Sequence, residues 1–156
     1  MGCDIHWYSE TRRDGKWECD QKLPFVEPDD DDRPEMDYFP GRERDYWLFG
    51  LLNPSVRTDW EWSFPESSMV PEDVSREVSL IYAQWGVNAH SAGSLTRAEL
   101  KAKLEELKLL IAKALVVPHK DSQGMSHHKE CLMKILSNMT SDVPDEDQRI
   151  VFWFDN

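Results

Sequence analysis

The chain has 156 residues, of which 40% are hydrophobic, so it is long enough to bury a core of its own and is expected to form one domain over residues 1–156. Thirty acidic residues against eighteen Lys and Arg give a net charge of −12, which argues against binding to nucleic acid or to an anionic membrane surface. The expected partner is a small ligand or a basic protein surface. Three cysteines without a pairing motif, and no signal-like or membrane-length apolar stretch, predict a cytosolic protein with reduced thiols.

The N-terminal segment predicts a β-hairpin. Residues 3–11 alternate around β-branched and aromatic side chains, residues 13–15 (Arg-Asp-Gly) supply a turn, and residues 16–19 continue with a second strand. The stretch 23–40 follows, with four prolines and the aspartate run 29–32, which is incompatible with a helix or a sheet ladder. We predict that it is an acidic loop inserted into the domain.

Two helical segments and one aromatic segment come next. Residues 44–52 predict a short helix that Asn53 and the following proline end. Residues 60–65 place three aromatic side chains on one side of an extended piece, either for stacking on a ligand ring or, more commonly, for packing in the core. Residues 71–85 have helical spacing, and Gly86 closes them.

The segment 87–94 predicts a loop of small residues that carries one imidazole and two hydroxyl groups. It leads directly into Thr96 and Glu99, whose spacing is that of a capping box at the start of a helix. Since the free N–H groups of a helix N-terminus attract anions, this loop is a candidate place for an anionic ligand.

The last third of the chain predicts two amphipathic helices and a closing strand. Leucine spacing indicates a long helix over 97–116 and a second helix over 126–138, on which His127 and His128 point in different directions and are expected at the surface. The strand 149–155 is apolar on both sides and is therefore expected to be covered on two faces. The fold class is α+β: a small antiparallel sheet that includes the N-terminal hairpin and the C-terminal strand, covered by three to four helices.

Ionisable side chains inside these apolar strands predict a functional site. Asp4 and His6 share one strand face, and if the first and last segments lie side by side, Asp155 and the mid-chain His90 can join them. Two imidazoles and two carboxylates fit a Zn, Mn or Mg ion that activates a water molecule. Without a metal, His6 and His90 would act as acid and base on a phosphate ester. The candidate catalytic residues are His6, His90 and Asp155; the candidate metal ligands are Asp4, His6, His90 and Asp155; and the candidate substrate-binding residues are Arg149, Ser91, Ser94 and Tyr46.

Several strings along the chain resemble a family of small tailed-phage proteins. They are residues 1–6 (Met-Gly-Cys-Asp-Ile-His), 45–49, 71–75, 90–100 and the closing 149–156 (Arg-Ile-Val-Phe-Trp-Phe-Asp-Asn). The acidic stretch 23–40 departs from the compact form of that family. The resemblance implies a viral origin, the cytoplasm of an infected bacterial host and a non-structural accessory role, without an activity.

Two classes of function stay open. The first is a small metal-assisted or histidine-based hydrolase of a phosphodiester or nucleotide-like substrate, such as a host signalling nucleotide. The second is an acidic inhibitor that binds a basic surface of a host defence protein or sequesters a signalling nucleotide. Buried, convergent polar groups favour the hydrolase, whereas an acidic outer face without a pocket favours the inhibitor.

Overall fold

A computed structural model describes residues 2–21, 44–139 and 142–155. The acidic loop predicted at 23–40 lies outside the described residues. The strands are β1 (Asp4–Arg13), β2 (Lys16–Cys19), β3 (His90–Thr96) and β4 (Gln148–Asp155), and the helices are α1 (Tyr46–Leu52), α2 (Arg76–Trp85), α3 (Arg97–Ala114) and α4 (Ser122–Ser137).

The four strands form one antiparallel sheet in the order β2-β1-β4-β3. The first and last strands are its central pair, in register from Asp4 opposite Asp155 to Thr11 opposite Gln148. The predicted α+β class and the antiparallel sheet that contains both chain ends are confirmed. The expectation that these two segments lie alongside one another is confirmed as well.

The hairpin turn forms where the sequence predicts it. Arg13 pairs with Lys16, so Asp14 and Gly15 are the two turn residues, with φ of 51° and 76°. Both angles lie in the left-handed region, which a type I′ hairpin turn requires and which Asp tolerates and Gly adopts freely.

The sheet separates two hydrophobic clusters because side chains alternate along each strand. One face packs against α1, α3 and α4, and the other packs against α2. Strand β4 contributes to both, since Phe152 and Phe154 lie on the first face and Val151 and Trp153 on the second. This confirms a closing strand covered on two sides. The aromatic segment 60–65 also packs in the core, through Trp62 and Phe64.

The prediction of a loop over 87–94 is wrong. A short 3-10 turn at Gly86–Asn88 is followed by β3, which pairs with β4 and carries an irregularity between His90 and Gly93. Close packing explains the small residues, because a Cβ on Gly93 would lie 2.2 Å from the Ser67 hydroxyl oxygen. The capping box that begins α3 is present as predicted, with Thr96 and Glu99 bonded reciprocally.

Candidate functional site

The pairing of β1 with β4 places a histidine and a carboxylate in contact at one end of the sheet. His6 lies opposite Trp153 and is therefore diagonal to Asp155 on the same face. His6 Nε2 and Asp155 Oδ2 are 3.1 Å apart, and the side chains are 13% and 18% exposed. The other oxygen of Asp155 accepts a hydrogen bond of 3.2 Å from the backbone N–H of Asp4. We refer to His6 and Asp155 as the sheet-end dyad.

The contact with Asp155 selects one tautomer of the His6 imidazole. An ionised carboxylate only accepts hydrogen bonds, so a neutral His6 carries its proton on Nε2 and keeps the lone pair of Nδ1 for a ligand. The imidazole plane is also restricted, because the ring of Trp85 lies 4.1 Å from its centroid on one side and that of Trp153 lies 6.0 Å away. A histidine oriented in this way has the geometry of a general base.

Asp4 is near the dyad but is engaged elsewhere. Its carboxylate receives two hydrogen bonds from Arg44, of 2.6 Å and 3.0 Å, in a largely exposed ion pair. These bonds hold the pKa of Asp4 below its usual range. Asp4 therefore supports the dyad through its backbone N–H, while Arg44 neutralises its side chain.

His90 is not placed with His6. It pairs with Phe154, which in turn pairs with Ile5, so these three side chains lie on the face of the sheet opposite to His6 and Asp155. The ring centroids of His90 and Phe154 are 6.4 Å apart. Asp4, His6 and Asp155 come together as expected, and the sheet itself separates them from His90.

The two candidate serines take different positions along β3. Ser91 has φ of 50°, and its hydroxyl lies 3.1 Å from His90 Nδ1 and accepts a 3.0 Å hydrogen bond from Ser55. Ser94 pairs with Val151, in a row that leads to Tyr8 rather than to His6. Neither serine has a hydrogen bond to the dyad among those of the described residues.

The remaining two substrate-binding candidates have other partners than the dyad in the described contacts. Arg149 is buried: its Nε donates to Glu10 at 2.9 Å, its Nη1 donates to Asp73 at 2.9 Å, and its guanidinium lies 3.9 Å from the ring centroid of Trp17. Glu10 and Asp73 both bind the Arg149 guanidinium. Arg149 therefore links the N-terminal end of α2 to the sheet and is not available to bind an anionic substrate. Tyr46 begins α1 and is partly exposed.

A second polar cluster joins α1 to α4 and was not predicted. Asp45 Oδ2 lies 2.6 Å from His127 Nε2 and 3.5 Å from Cys131 Sγ, and these last two atoms are 3.5 Å apart. Within the described ranges, this is the one group of three His, Cys, Asp or Glu residues whose ligand atoms all lie within 4.8 Å of one another. The sequence carried a signal for it, because His127 and Cys131 are four residues apart on a predicted helix. We call these three residues the α1–α4 cluster.

Burial and hydrogen bonding set the protonation states in this cluster. Burial alone would raise the pKa of Asp45, but the Leu48 backbone N–H and His127 outweigh it and hold the pKa below its usual range. Burial, with a smaller effect from the Asp45 charge, raises the pKa of the Cys131 thiol to about 12. The metal-free cluster therefore contains a carboxylate and a protonated thiol at neutral pH.

The prediction that His128 lies at the surface is wrong, and the same prediction for His127 is confirmed only in part. His128 is fully buried, with Nδ1 accepting from Trp62 Nε1 at 2.9 Å and Nε2 donating to the Trp47 carbonyl at 2.8 Å. The side chain of His127 is 39% exposed. Their different environments follow from adjacent positions on a helix, which point about 100° apart.

Comparison of the chain with protein-family models, with curated proteins and with solved structures gave no match. Across the described segments, no helix is both long enough and apolar enough to cross a membrane.

Proposed function

We propose that the protein is a small hydrolase that acts on a phosphodiester or nucleotide-like substrate, with His6 as its acid–base group and Asp155 as the residue that orients it. The 3.1 Å contact between His6 Nε2 and Asp155 Oδ2 is the observation that carries the proposal. Proton transfer by a positioned histidine typically contributes 10²–10⁴-fold to a rate.

The chemistry follows from the tautomer. Nδ1 of His6 takes the proton from the attacking water or hydroxyl group, while the negative charge of Asp155 stabilises the imidazolium that forms. The oxygen that leaves on the opposite side of phosphorus takes a proton from water, and the imidazolium then releases its proton to solvent. The expected acid–base pair of His6 and His90 is not supported, because the sheet lies between the two histidines. A mechanism with His6 alone has better support at the sheet end than a metal held by Asp4, His6, His90 and Asp155, because Arg44 neutralises Asp4 and His90 lies across the sheet.

The biological setting is part of the proposal. We propose that the activity serves in the cytoplasm of an infected bacterium, as the resemblance to small tailed-phage proteins implies, where hydrolysis of a host signalling nucleotide would counteract defence. In this proposal, the binding partner of the protein is its phosphate-containing substrate.

The net charge of −12 supports a second candidate. An acidic protein that lacks turnover can still inhibit a basic surface of a defence protein, or sequester a nucleotide, through its electrostatic field. Turnover of a nucleotide substrate is the measurement that separates the hydrolase from this inhibitor.

Incubation with cyclic dinucleotides, linear dinucleotides and mononucleotides, followed by chromatography, tests the proposal. We expect hydrolysis by the wild type and a loss of at least about 100-fold in His6→Ala. His119→Ala, in the connection between α3 and α4, is the matched control and should keep full activity. Equal rates for wild type and His6→Ala would refute the role of His6, and binding without turnover would favour the sequestering inhibitor.

A further inference from the structure

The α1–α4 cluster has the donor set of a transition-metal site. It offers one carboxylate oxygen, one imidazole nitrogen and one sulfur atom, all within 4.8 Å of one another. Mg²⁺ and Ca²⁺ prefer sites made of oxygen ligands, whereas a mixed set with a cysteine sulfur selects Zn²⁺ and its spectroscopic substitute Co²⁺. When zinc binds, the Cys131 thiol would release its proton to solvent, and the resulting thiolate together with the Asp45 carboxylate would supply two negative charges, which match a divalent cation.

The distances already approach those of a tetrahedral site. Zinc–ligand bonds of 2.0–2.3 Å place sulfur about 3.6 Å from the nitrogen and oxygen ligands, and place these two about 3.4 Å from each other. Cys131 Sγ is 3.5 Å from both partner atoms. Only Asp45 Oδ2 and His127 Nε2, now 2.6 Å apart, would have to separate, by about 0.8 Å.

The surrounding structure holds all three ligands in place. The other oxygen of Asp45 accepts the Leu48 backbone N–H at 3.0 Å, which is the cap of α1, so Oδ2 is directed away from that helix. His127 and Cys131 share one face of α4. The two helices are themselves joined by the 2.8 Å hydrogen bond from His128 to the Trp47 carbonyl. A site fixed in this way loses little conformational entropy when an ion binds.

The geometry also argues against a catalytic triad of the same residues. In a triad the carboxylate and the nucleophile use different nitrogens of the histidine, so that a proton passes across the ring. Here Asp45 and Cys131 both face Nε2 of His127. Convergence on one nitrogen is the arrangement expected when a single ion sits among three ligands.

We propose that Asp45, His127 and Cys131 bind one zinc ion, with a fourth position open to water or to an oxygen ligand. The partial exposure of the His127 side chain, 39%, leaves a path for this fourth ligand. Three protein ligands with one open position are typical of catalytic rather than structural zinc sites. The proposal is independent of the sheet-end dyad, which lies on the other face of the sheet.

Metal titration of the full-length protein tests this site. Equilibrium dialysis with elemental analysis should give one zinc per chain, and Co²⁺ should give the near-ultraviolet charge-transfer band of a cobalt–thiolate bond together with strong tetrahedral absorption. Cys131→Ser should abolish the thiolate band, and His127→Gln should weaken zinc binding at least about tenfold. Cys19→Ser and His119→Gln, which change the same residue types outside the cluster, should bind as the wild type does.

Three results would overturn the proposal. They are the absence of stoichiometric zinc in dialysis, a cobalt spectrum without the thiolate band, and unchanged zinc affinity in both cluster variants. Because His127 is partly exposed, His127→Gln is expected to fold, and circular dichroism of each variant separates lost binding from lost structure. None of these measurements depends on hydrolytic activity, so failure of the hydrolase proposal leaves them interpretable.

Discussion

Protonation of the buried His128 should make the protein acid-labile. In the folded chain, burial lowers the pKa of His128 to about 4, against an ordinary value of 6.5. Protonation would place a hydrogen on Nδ1, the atom that accepts the Trp62 indole N–H at 2.9 Å. Protonated His128 therefore lacks solvation by water and also loses one of its two hydrogen bonds.

The sign and size of the effect follow from proton linkage. Between pH 6.5 and about pH 4 the unfolded chain binds this proton and the folded chain does not, so the free energy of unfolding falls as the pH falls. From the difference of the two pKa values, the loss is about 2 kcal/mol at pH 5 and approaches about 3 kcal/mol below pH 4. Above pH 6.5 the contribution is complete and does not change.

Urea unfolding of the wild type and His128→Gln at pH 7 and pH 5 measures the effect. The four other histidines are present in both proteins, so the difference between the two pH-dependent losses isolates His128. We expect the wild type to lose about 2 kcal/mol more than the variant between these pH values. Equal losses, or an NMR titration of the His128 ring with a midpoint near 6.5, would refute the reasoning.

Two further predictions concern stability. Glu10→Gln removes the buried carboxylate that faces Arg149 and should lower the free energy of unfolding in urea by about 3 kcal/mol. Asp147→Asn, in a more exposed ion pair with Arg12, should lower it by under about 1 kcal/mol. Equal losses in the two variants would contradict a stronger role for the buried ion pair. Thr96→Ala removes the side-chain cap of α3 and should lower the free energy of unfolding by about 1 kcal/mol, while Thr96→Ser should stay near the wild type; a Thr96→Ala midpoint equal to the wild type would exclude a stabilising cap.

The fold was predictable where hydrophobic periodicity and turn chemistry agree. The hairpin at Asp14 and Gly15, the capped start of α3 and the doubly covered β4 each depend on local sequence, and each forms as expected. Strand β3 was missed because its residues are small and lack β-branched side chains at its start. Its strand conformation comes from pairing with β4 and from the close approach of Ser67 to Gly93, which are tertiary contacts.

The candidate site was predictable only in part for the same reason. Alternation along β1 and β4 was enough to place His6 and Asp155 on one face once the strands were paired. The position of His90 depends on the register of β3, which no local pattern specifies. The α1–α4 cluster required the packing of two helices that brings together Asp45 and His127, which are 82 residues apart, and only the spacing of His127 and Cys131 within α4 was visible in advance.

A double-mutant cycle of hydrolysis rates tests most directly whether His6 and Asp155 act as one unit. Asp155→Asn keeps an oxygen for the Asp4 N–H but removes the charge that stabilises the His6 imidazolium. If the two residues cooperate, Asp155→Asn alone slows turnover, and the double variant is no slower than His6→Ala. Rate losses that multiply in the double variant would mean that the residues act independently and would contradict the proposed dyad.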